Sequence, residues 1–170
     1  MSKLKPDMYV KSILDIDYKK LKKMGIKVLL FDFDNTIIAH KVHKIDKKYL
    51  DLINDLKKDF QVIILSNSLN FKKLSNTSKK LNLDFIGASF KPLGFGYRRL
   101  KLNGIDKKEI AMIGDQLITD IWGAKRRGYF SILIDPINPD SEIIFTKVNR
   151  KLEGKILGKM KKVKRGDYYD

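Results

Sequence analysis

Two carboxylates stand two positions apart directly after an apolar run near the start of the chain. The run covers residues 28–31, and Asp32 and Asp34 follow it with Phe33 between them. Such a run predicts a buried strand that delivers both acids to a loop at its carboxyl end, where open α/β sheets place their chemistry. Two crowded carboxylates repel, unless a divalent cation neutralises them or one of them keeps a proton and serves as an acid. The alternative is an Asx-rich turn that caps the next segment.

Further polar side chains follow later strands of the predicted sheet. Ser66 and Asn67 come after the second apolar run, Lys91 after the third and Asp115 after the fourth. Because parallel strands end at the same edge of a sheet, we expect these side chains to meet the two aspartates. Together they would supply a carboxylate nucleophile, an acid/base, a hydroxyl, an amide, an ammonium and a third carboxylate. Phosphoryl transfer requires this set of groups.

Apolar runs alternate with segments of helical spacing along the chain. Strands are predicted at 28–31, 60–65, 85–87, 109–113 and 129–134, and helices at 17–25, 46–56, 70–81, 93–102 and 119–127. This alternation predicts an α/β fold, a doubly wound parallel sheet covered on both faces. Residues 3–27 could pack on the core or lie on a surface. We expect one domain over 1–170, with a basic C-terminal helix or tail at about 141–170.

The composition limits the classes of protein and of partner. The chain has 170 residues and no cysteine, and its formal charge is +16. Its length suffices for a core without disulfides, and the sequence contains no signal-peptide pattern and no apolar run of membrane-spanning length. We therefore expect a soluble cytoplasmic protein. The charge favours phosphate-bearing polymers, anionic lipid or acidic small molecules as partners, or else serves only solubility.

The order of these motifs resembles that of the haloacid dehalogenase (HAD) superfamily. Residues 32–36 (Asp-Phe-Asp-Asn-Thr) look like its first motif, Ser66 its second, Lys91 its third, and Gly114-Asp115 with Thr119-Asp120 its fourth. More narrowly, residues 6–10, 114–117 and 146–150 resemble the YqeG family of subfamily IIIA, relatives of mitochondrial phosphatidylglycerophosphate phosphatases. Ser68 and Lys125 depart from that family's pattern, in which Asn is expected at both positions.

The resemblance implies a phosphatase with a covalent intermediate. Asp32 would attack phosphorus to form an aspartyl-phosphate, while Asp34 would protonate the leaving oxygen and then activate water. The resemblance also implies Mg²⁺, held by Asp32, by the main-chain carbonyl of Asp34 and by Asp115. Physical chemistry agrees, because a carboxylate can attack an anionic phosphate only where cations cancel the repulsion.

Other residues of the motifs would bind the phosphate or position the groups that do. Lys91 would restrain Asp32 and hold the phosphate, and Ser66 would donate to a phosphate oxygen. Asp120 would position Lys91 or a metal-bound water, unless it only caps a helix. The other residues predicted to contact substrate are Thr36, Asn67 and Arg126.

The spacing of the motifs also bears on the substrate. Residues 36–60 and 67–91 leave no room for an inserted cap domain, so we expect an open site, which suits a phosphate on a membrane, a protein or a polynucleotide. Basic termini with interleaved apolar residues, at 8–21 and 143–157, favour peripheral contact with the inner face of an anionic membrane. The resemblance implies phosphatidylglycerophosphate as the phosphomonoester substrate.

Four other functions compete with a lipid phosphatase. A phosphoprotein phosphatase or a nucleic-acid-end phosphatase would share the catalytic residues. A non-enzymatic basic module that binds nucleic acid would not need Asp34. A phosphoacceptor switch would keep an Asp and a Lys, but an acid/base two residues after the acceptor would hasten loss of its phosphoryl group.

Overall fold

Six parallel strands form one sheet in the computed structural model, which describes residues 4–139, 154–156 and 166. The strands are β1 (Met8–Val10), β2 (Val28–Phe31), β3 (Gln61–Leu65), β4 (Asp84–Ile86), β5 (Ile110–Gly114) and β6 (Phe130–Ile134). Their order across the sheet is β1-β6-β5-β2-β3-β4. All five neighbouring pairs are parallel, so the predicted doubly wound parallel sheet is confirmed.

Helices connect the strands and begin at capped positions. They are α1 (Tyr18–Lys23), α2 (Lys47–Leu56), α3 (Phe71–Leu81), α4 (Phe95–Arg98) and α5 (Trp122–Lys125). Asp17, Asp46 and Asn70 precede the first three helices, and each side chain accepts a hydrogen bond from a main-chain N–H of the first turn. These caps satisfy donors that would otherwise have no partner, which fixes where each helix starts.

The strands are apolar on both faces because both faces are covered. Leu29 and Phe31 of β2 pack in the larger core cluster, which also includes buried residues of α1, α2 and α3. Val28 and Leu30 alternate with them and pack on the opposite face, in the cluster that includes Tyr97 of α4 and Ala124 of α5. A strand that is buried on both faces loses the polar alternation of a half-exposed strand.

The first strand was not predicted. β1 pairs with β6, and Asp7 just before it accepts hydrogen bonds from the N–H and the hydroxyl of Ser131. Met8 and Val10 are buried in the core, as are the apolar residues Ile13, Ile16 and Leu21 that follow. Residues 8–21 therefore pack mainly on the sheet, which removes most of this segment as the membrane-inserting surface that its apolar residues suggested.

Two other helical segments differ from the prediction. The segment predicted as a helix over 93–102 contains only the four residues of α4, with Gly94 just before it and Gly96 within it. Two glycines make a helix less favourable in this segment. Residues 117–121 form a π-helical turn that continues into α5, where an ordinary helix was predicted over 119–127. The predicted C-terminal helix lies mostly outside the described residues, but residues 154–156 are helical.

The chain reverses its winding at β2. It passes from β2 to β3 and β4 on one side and then returns to β5 on the other side. Such a switch leaves a crevice at the carboxyl ends of the two central strands. The connection from β2 to β3 holds one loop and α2, so that interval contains no cap domain. No helix within the described parts of the chain is long and apolar enough to cross a membrane.

Candidate active site

Lys91 lies at the centre of a buried polar cluster at this crevice. Its Nζ is 2.6 Å from Oδ1 of Asp32, 2.8 Å from Oδ1 of Asp120 and 2.7 Å from the carbonyl oxygen of Leu65. The side chain is only 1% exposed. A buried ammonium with three oxygen partners is held in one place, and it links the ends of β2, β3 and β5.

Three carboxylates meet beside this lysine. One oxygen each from Asp32, Asp115 and Asp120 lie within 4.8 Å of one another, and all three residues are buried. The Thr36 hydroxyl donates to Asp115 across 3.3 Å, and the N–H of Gln116 donates to Asp120 across 3.1 Å. Carboxylate oxygens grouped in this way are the donors that hard divalent cations prefer, so the residues present fit Mg²⁺.

The carboxylates and the lysine shift each other's pKa. Burial raises the pKa of Asp32 well above its usual range, and Asp120 and Asp115 raise it further against the opposing effect of Lys91. Burial alone would lower the pKa of Lys91, but Asp120 and Asp32 outweigh burial and hold it above its usual value. Lys91 is therefore charged at neutral pH. Because one ammonium faces three carboxylates, a second cation would favour the ionised form of Asp32.

The side chain of Asp34 lies outside this cluster. Its Oδ1 is 2.7 Å from Nζ of Lys73 and 3.7 Å from Nδ1 of His40, and the side chain is 21% exposed. The three carboxylates that meet are thus Asp32, Asp115 and Asp120. The predicted metal set of Asp32, Asp34 and Asp115 used the main-chain carbonyl of Asp34, so the direction of its side chain does not bear on it.

Lys73 is a site residue that the sequence analysis missed. Besides Asp34, its ammonium donates to the carbonyl oxygens of His40, across 2.6 Å, and Ala39, across 3.3 Å. It thereby ties α3 to the loop that carries the first motif. Helical periodicity could have found it, because Lys73 lies on the same face of α3 as buried Leu74 and Thr77. A lysine at a buried helical position needs a partner, and Asp34 is that partner.

Replacing this lysine should destabilise the protein. We expect Lys73→Met to keep the apolar stem but leave Asp34 and two carbonyl oxygens without their donor, at a cost of about 1–3 kcal/mol in the free energy of unfolding. Lys72→Met is the matched control, since the adjacent Lys72 is exposed. Thermal denaturation of both variants tests the expectation. Equal unfolding midpoints for Lys73→Met and Lys72→Met would show that the buried ion pair contributes nothing to the free energy of unfolding.

Ser66 and Asn67 lie beside the Lys91 loop. The hydroxyl of Ser66, which is buried, accepts a hydrogen bond from the N–H of Ser68. The amide oxygen of Asn67 accepts from the N–H of Lys91 and the hydroxyl of Ser89, and its amide nitrogen donates to the carbonyl of Lys91. Asn67 thus holds the Lys91 loop in place, and its predicted contact with substrate stays a prediction.

Thr36 and Arg126 are the other two predicted substrate contacts. The side chain of Thr36 is fully buried and its hydroxyl donates to Asp115, and its contact with substrate stays a prediction. Arg126 follows α5 and stacks its guanidinium 5.1 Å from the ring centroid of Trp122. The described contacts do not bring Arg126 to the cluster.

Steric crowding explains why the residue before Asp115 is a glycine, Gly114. A Cβ on Gly114 would overlap the carboxylate of Asp120. The last residue of β5 must therefore lack a side chain for Asp120 to reach Lys91. Gly96 has a similar role, because a Cβ there would overlap the backbone of Ser89 in the Lys91 loop. Both glycines let the polar groups of the site approach closely.

Comparisons with known proteins agree with this architecture. Residues 1–85 match the family model described as mitochondrial PGP phosphatase, and residues 89–136 match a model of HAD-like hydrolases. A solved structure of the putative HAD-hydrolase YfnB from Bacillus subtilis, bound to magnesium, superposes with a TM-score of 0.56 over 69% of this chain and 89% of that chain. At 16% identity, this likeness concerns the fold alone.

Three relatives extend the match over most of the chain. The probable phosphatase YqeG of Bacillus subtilis is 33% identical over 159 residues, 92% of this chain and 91% of that protein. Phosphatidylglycerophosphate phosphatases of Arabidopsis thaliana and Chlamydomonas reinhardtii are 28% and 23% identical, and this chain spans 45% and 59% of their lengths. The chain therefore belongs to the YqeG-type family of HAD hydrolases and is an HAD-type phosphatase.

Proposed function

We propose that this phosphatase hydrolyses phosphomonoesters through an aspartyl-phosphate on Asp32, with Mg²⁺ as cofactor and phosphatidylglycerophosphate as substrate. The observation that carries the chemistry is the cluster of Asp32, Lys91, Asp115 and Asp120 at the carboxyl ends of β2 and β5. It places a carboxylate, a fixed ammonium and a donor set for a divalent cation within one small volume. Phosphoryl transfer depends on this arrangement.

The chemistry divides into two steps. In the first, a carboxylate oxygen of Asp32 forms a bond to phosphorus while the bond to the leaving alcohol oxygen breaks, and Asp34 gives that oxygen a proton. In the second, Asp34 takes a proton from water, whose oxygen attacks phosphorus and releases Asp32 and inorganic phosphate. Asp34 is partly exposed, so solvent and substrate can reach it.

Lys91 and the acidic residues would provide the electrostatic stabilisation of the reacting phosphate. Lys91 orients Asp32 and offers positive charge to the phosphate oxygens. Asp32 and Asp115, with Asp120 near them, would hold Mg²⁺, which would supply further positive charge against the substrate. The main-chain carbonyl of Asp34 remains a proposed ligand. Ser66 is proposed to donate to a phosphate oxygen.

The lipid substrate rests on different support. The two photosynthetic relatives are named as phosphatidylglycerophosphate phosphatases. The site also has no inserted cap between β2 and β3 that would close over a small molecule. A phosphate presented on a large surface can reach such an open site. We further propose that the whole chain forms one domain and works in the cytoplasm, peripherally at the inner face of the membrane.

Activity should depend completely on Mg²⁺, because the three clustered carboxylates outnumber the one ammonium that pairs with two of them. The test is a screen with and without chelator against phosphatidylglycerophosphate, a phosphopeptide, a nucleotide monophosphate and 3′-phosphorylated DNA. We expect turnover only with Mg²⁺ and the highest kcat/KM for the lipid. Activity that survives the chelator would refute the metal assignment, and a preference for the peptide or the DNA would replace the lipid by the corresponding substrate.

A further inference from the structure

Exposed apolar side chains are concentrated around the mouth of the site. They extend from the loops that follow β2, β3, β4 and β6, and they form what we term the apolar collar: Val42, Leu69, Phe71, Phe90, Leu93, Phe95 and Ile137. Their exposed fractions range from 37% at Ile137 to 72% at Leu69. Among the described residues, only Leu14 and Met24 are other large apolar side chains with this exposure. Exposed apolar residues grouped at one edge mark an interaction surface.

The collar is built from ordered contacts and borders the site directly. The rings of Phe90 and Phe95 meet edge to face with centroids 6.1 Å apart, and the guanidinium of Arg98 lies 5.0 Å from the Phe95 centroid. Phe90 precedes Lys91 in the chain, and Leu93 follows two residues later. A surface that receives the collar therefore also faces the opening to Lys91.

The charges of the same loops select the kind of surface. Segments 39–45, 67–72 and 87–99 contain no Asp or Glu. Their exposed cations are Lys41, Lys44, Lys72, Arg98 and Arg99. The loop after β6, which carries Ile137, adds one acid, Asp135, which is half-buried and accepts a hydrogen bond from the hydroxyl of Tyr9. Apolar tips interspersed with cations, with no acid in the other three loop segments, match the interface of an anionic bilayer, where apolar groups enter the acyl region and cations meet lipid phosphates. The collar side chains lie on separate loops, and a fluid lipid surface can adapt to such an arrangement.

We propose that the apolar collar inserts into the surface of an anionic bilayer and thereby presents the site to a phosphomonoester headgroup. The identity of that headgroup rests on the proposed function, whereas the docking itself does not. The assignment differs from the sequence expectation, which placed membrane contact at the termini, because Met8, Val10 and Leu21 are buried in the core.

The experiment compares two variants with the unaltered protein. Leu69→Ser/Leu93→Ser removes two exposed collar residues that are not members of the site cluster, and Met24→Ser is the control, an exposed residue between α1 and β2. Sedimentation is measured with vesicles of phosphatidylcholine alone and of phosphatidylcholine with phosphatidylglycerol, from low to high salt. Turnover of p-nitrophenyl phosphate in solution is measured in parallel.

We expect preference for the anionic vesicles, with part of the binding surviving high salt because insertion is not screened. The double variant should bind about ten- to a hundredfold more weakly, and Met24→Ser should bind like the unaltered protein. Both variants should keep the turnover of p-nitrophenyl phosphate.

Three outcomes would overturn the proposal: equal binding by the double variant, complete loss of binding in salt, or self-association through the collar without vesicle binding. Absence of p-nitrophenyl phosphate turnover in the unaltered protein would instead count against the proposed function. The sedimentation with vesicles would still test whether the collar binds the bilayer.

Discussion

Asp32→Asn should abolish turnover and prevent any covalent phosphoryl adduct. The amide has nearly the same shape as the carboxylate but cannot attack phosphorus. The expected loss in kcat is about 10⁴-fold or more, the scale seen when a covalent nucleophile is removed. The fold should survive, because the substitution removes one of three mutually repelling carboxylates and keeps the volume of a residue that is 7% exposed.

Asp34→Asn should be compared with Asp32→Asn, because the two variants are expected to differ in adduct formation. It keeps the nucleophile, so a substrate with a good leaving group should still phosphorylate Asp32, while hydrolysis of the adduct slows because the general base is gone. Intact mass measured after rapid quenching should therefore detect one added phosphoryl group in Asp34→Asn and none in Asp32→Asn. Substantial turnover in Asp32→Asn would remove it as the nucleophile.

The meeting of Asp32, Lys91 and Asp115 at one edge could be predicted, and the reason is geometric. Each follows a continuous apolar run or a short strand, and parallel strands end at the same edge. The sheet itself was predictable for the same reason, since runs such as Ile110–Gly114 are buried on both faces. The chemical roles of these residues stay predictions.

Contacts between segments distant in sequence could not be predicted. The place of β1 in the sheet depends on its pairing with β6 and on the hydrogen bonds of Asp7 with Ser131, more than 120 residues away. Asn67 was predicted to contact substrate because it follows the second predicted strand, at the edge of the sheet where the other polar residues meet. Only the structure revealed that its oxygen is already used by Lys91 and Ser89.

The burial of residues 8–21 changes how the charge of the chain can act. The formal charge of +16 suggested termini that attract a membrane, but the apolar residues near the N-terminus are committed to the core. A patch that binds a bilayer needs exposed apolar groups beside its cations. Loops beside the site provide both, and they could not be identified from sequence because exposure is decided by packing.

Lys91→Met should also lower kcat/KM strongly, because several groups of the site depend on this one ammonium. The substitution keeps an unbranched stem in a position that is 1% exposed, but it leaves Asp32, Asp120 and the carbonyl of Leu65 without their common donor. By analogy with the loss of an oxyanion donor, we expect a cost of about 2–4 kcal/mol in the transition state. That cost corresponds to a fall in kcat/KM of about 30- to 1000-fold.

Lys91→Met should also change how kcat/KM depends on pH. Lys91 opposes the rise in the pKa of Asp32 that burial, Asp120 and Asp115 produce. Without it the pKa of Asp32 rises further, so a larger part of the nucleophile is protonated at a given pH, and the acidic limb of kcat/KM should move to higher pH. Lys125→Met is the matched control, because Lys125, at the end of α5, is also paired with an aspartate, Asp7, which lies just before β1 and is not part of the cluster. An unchanged profile and rate in Lys91→Met would assign the positive charge at the site to another group.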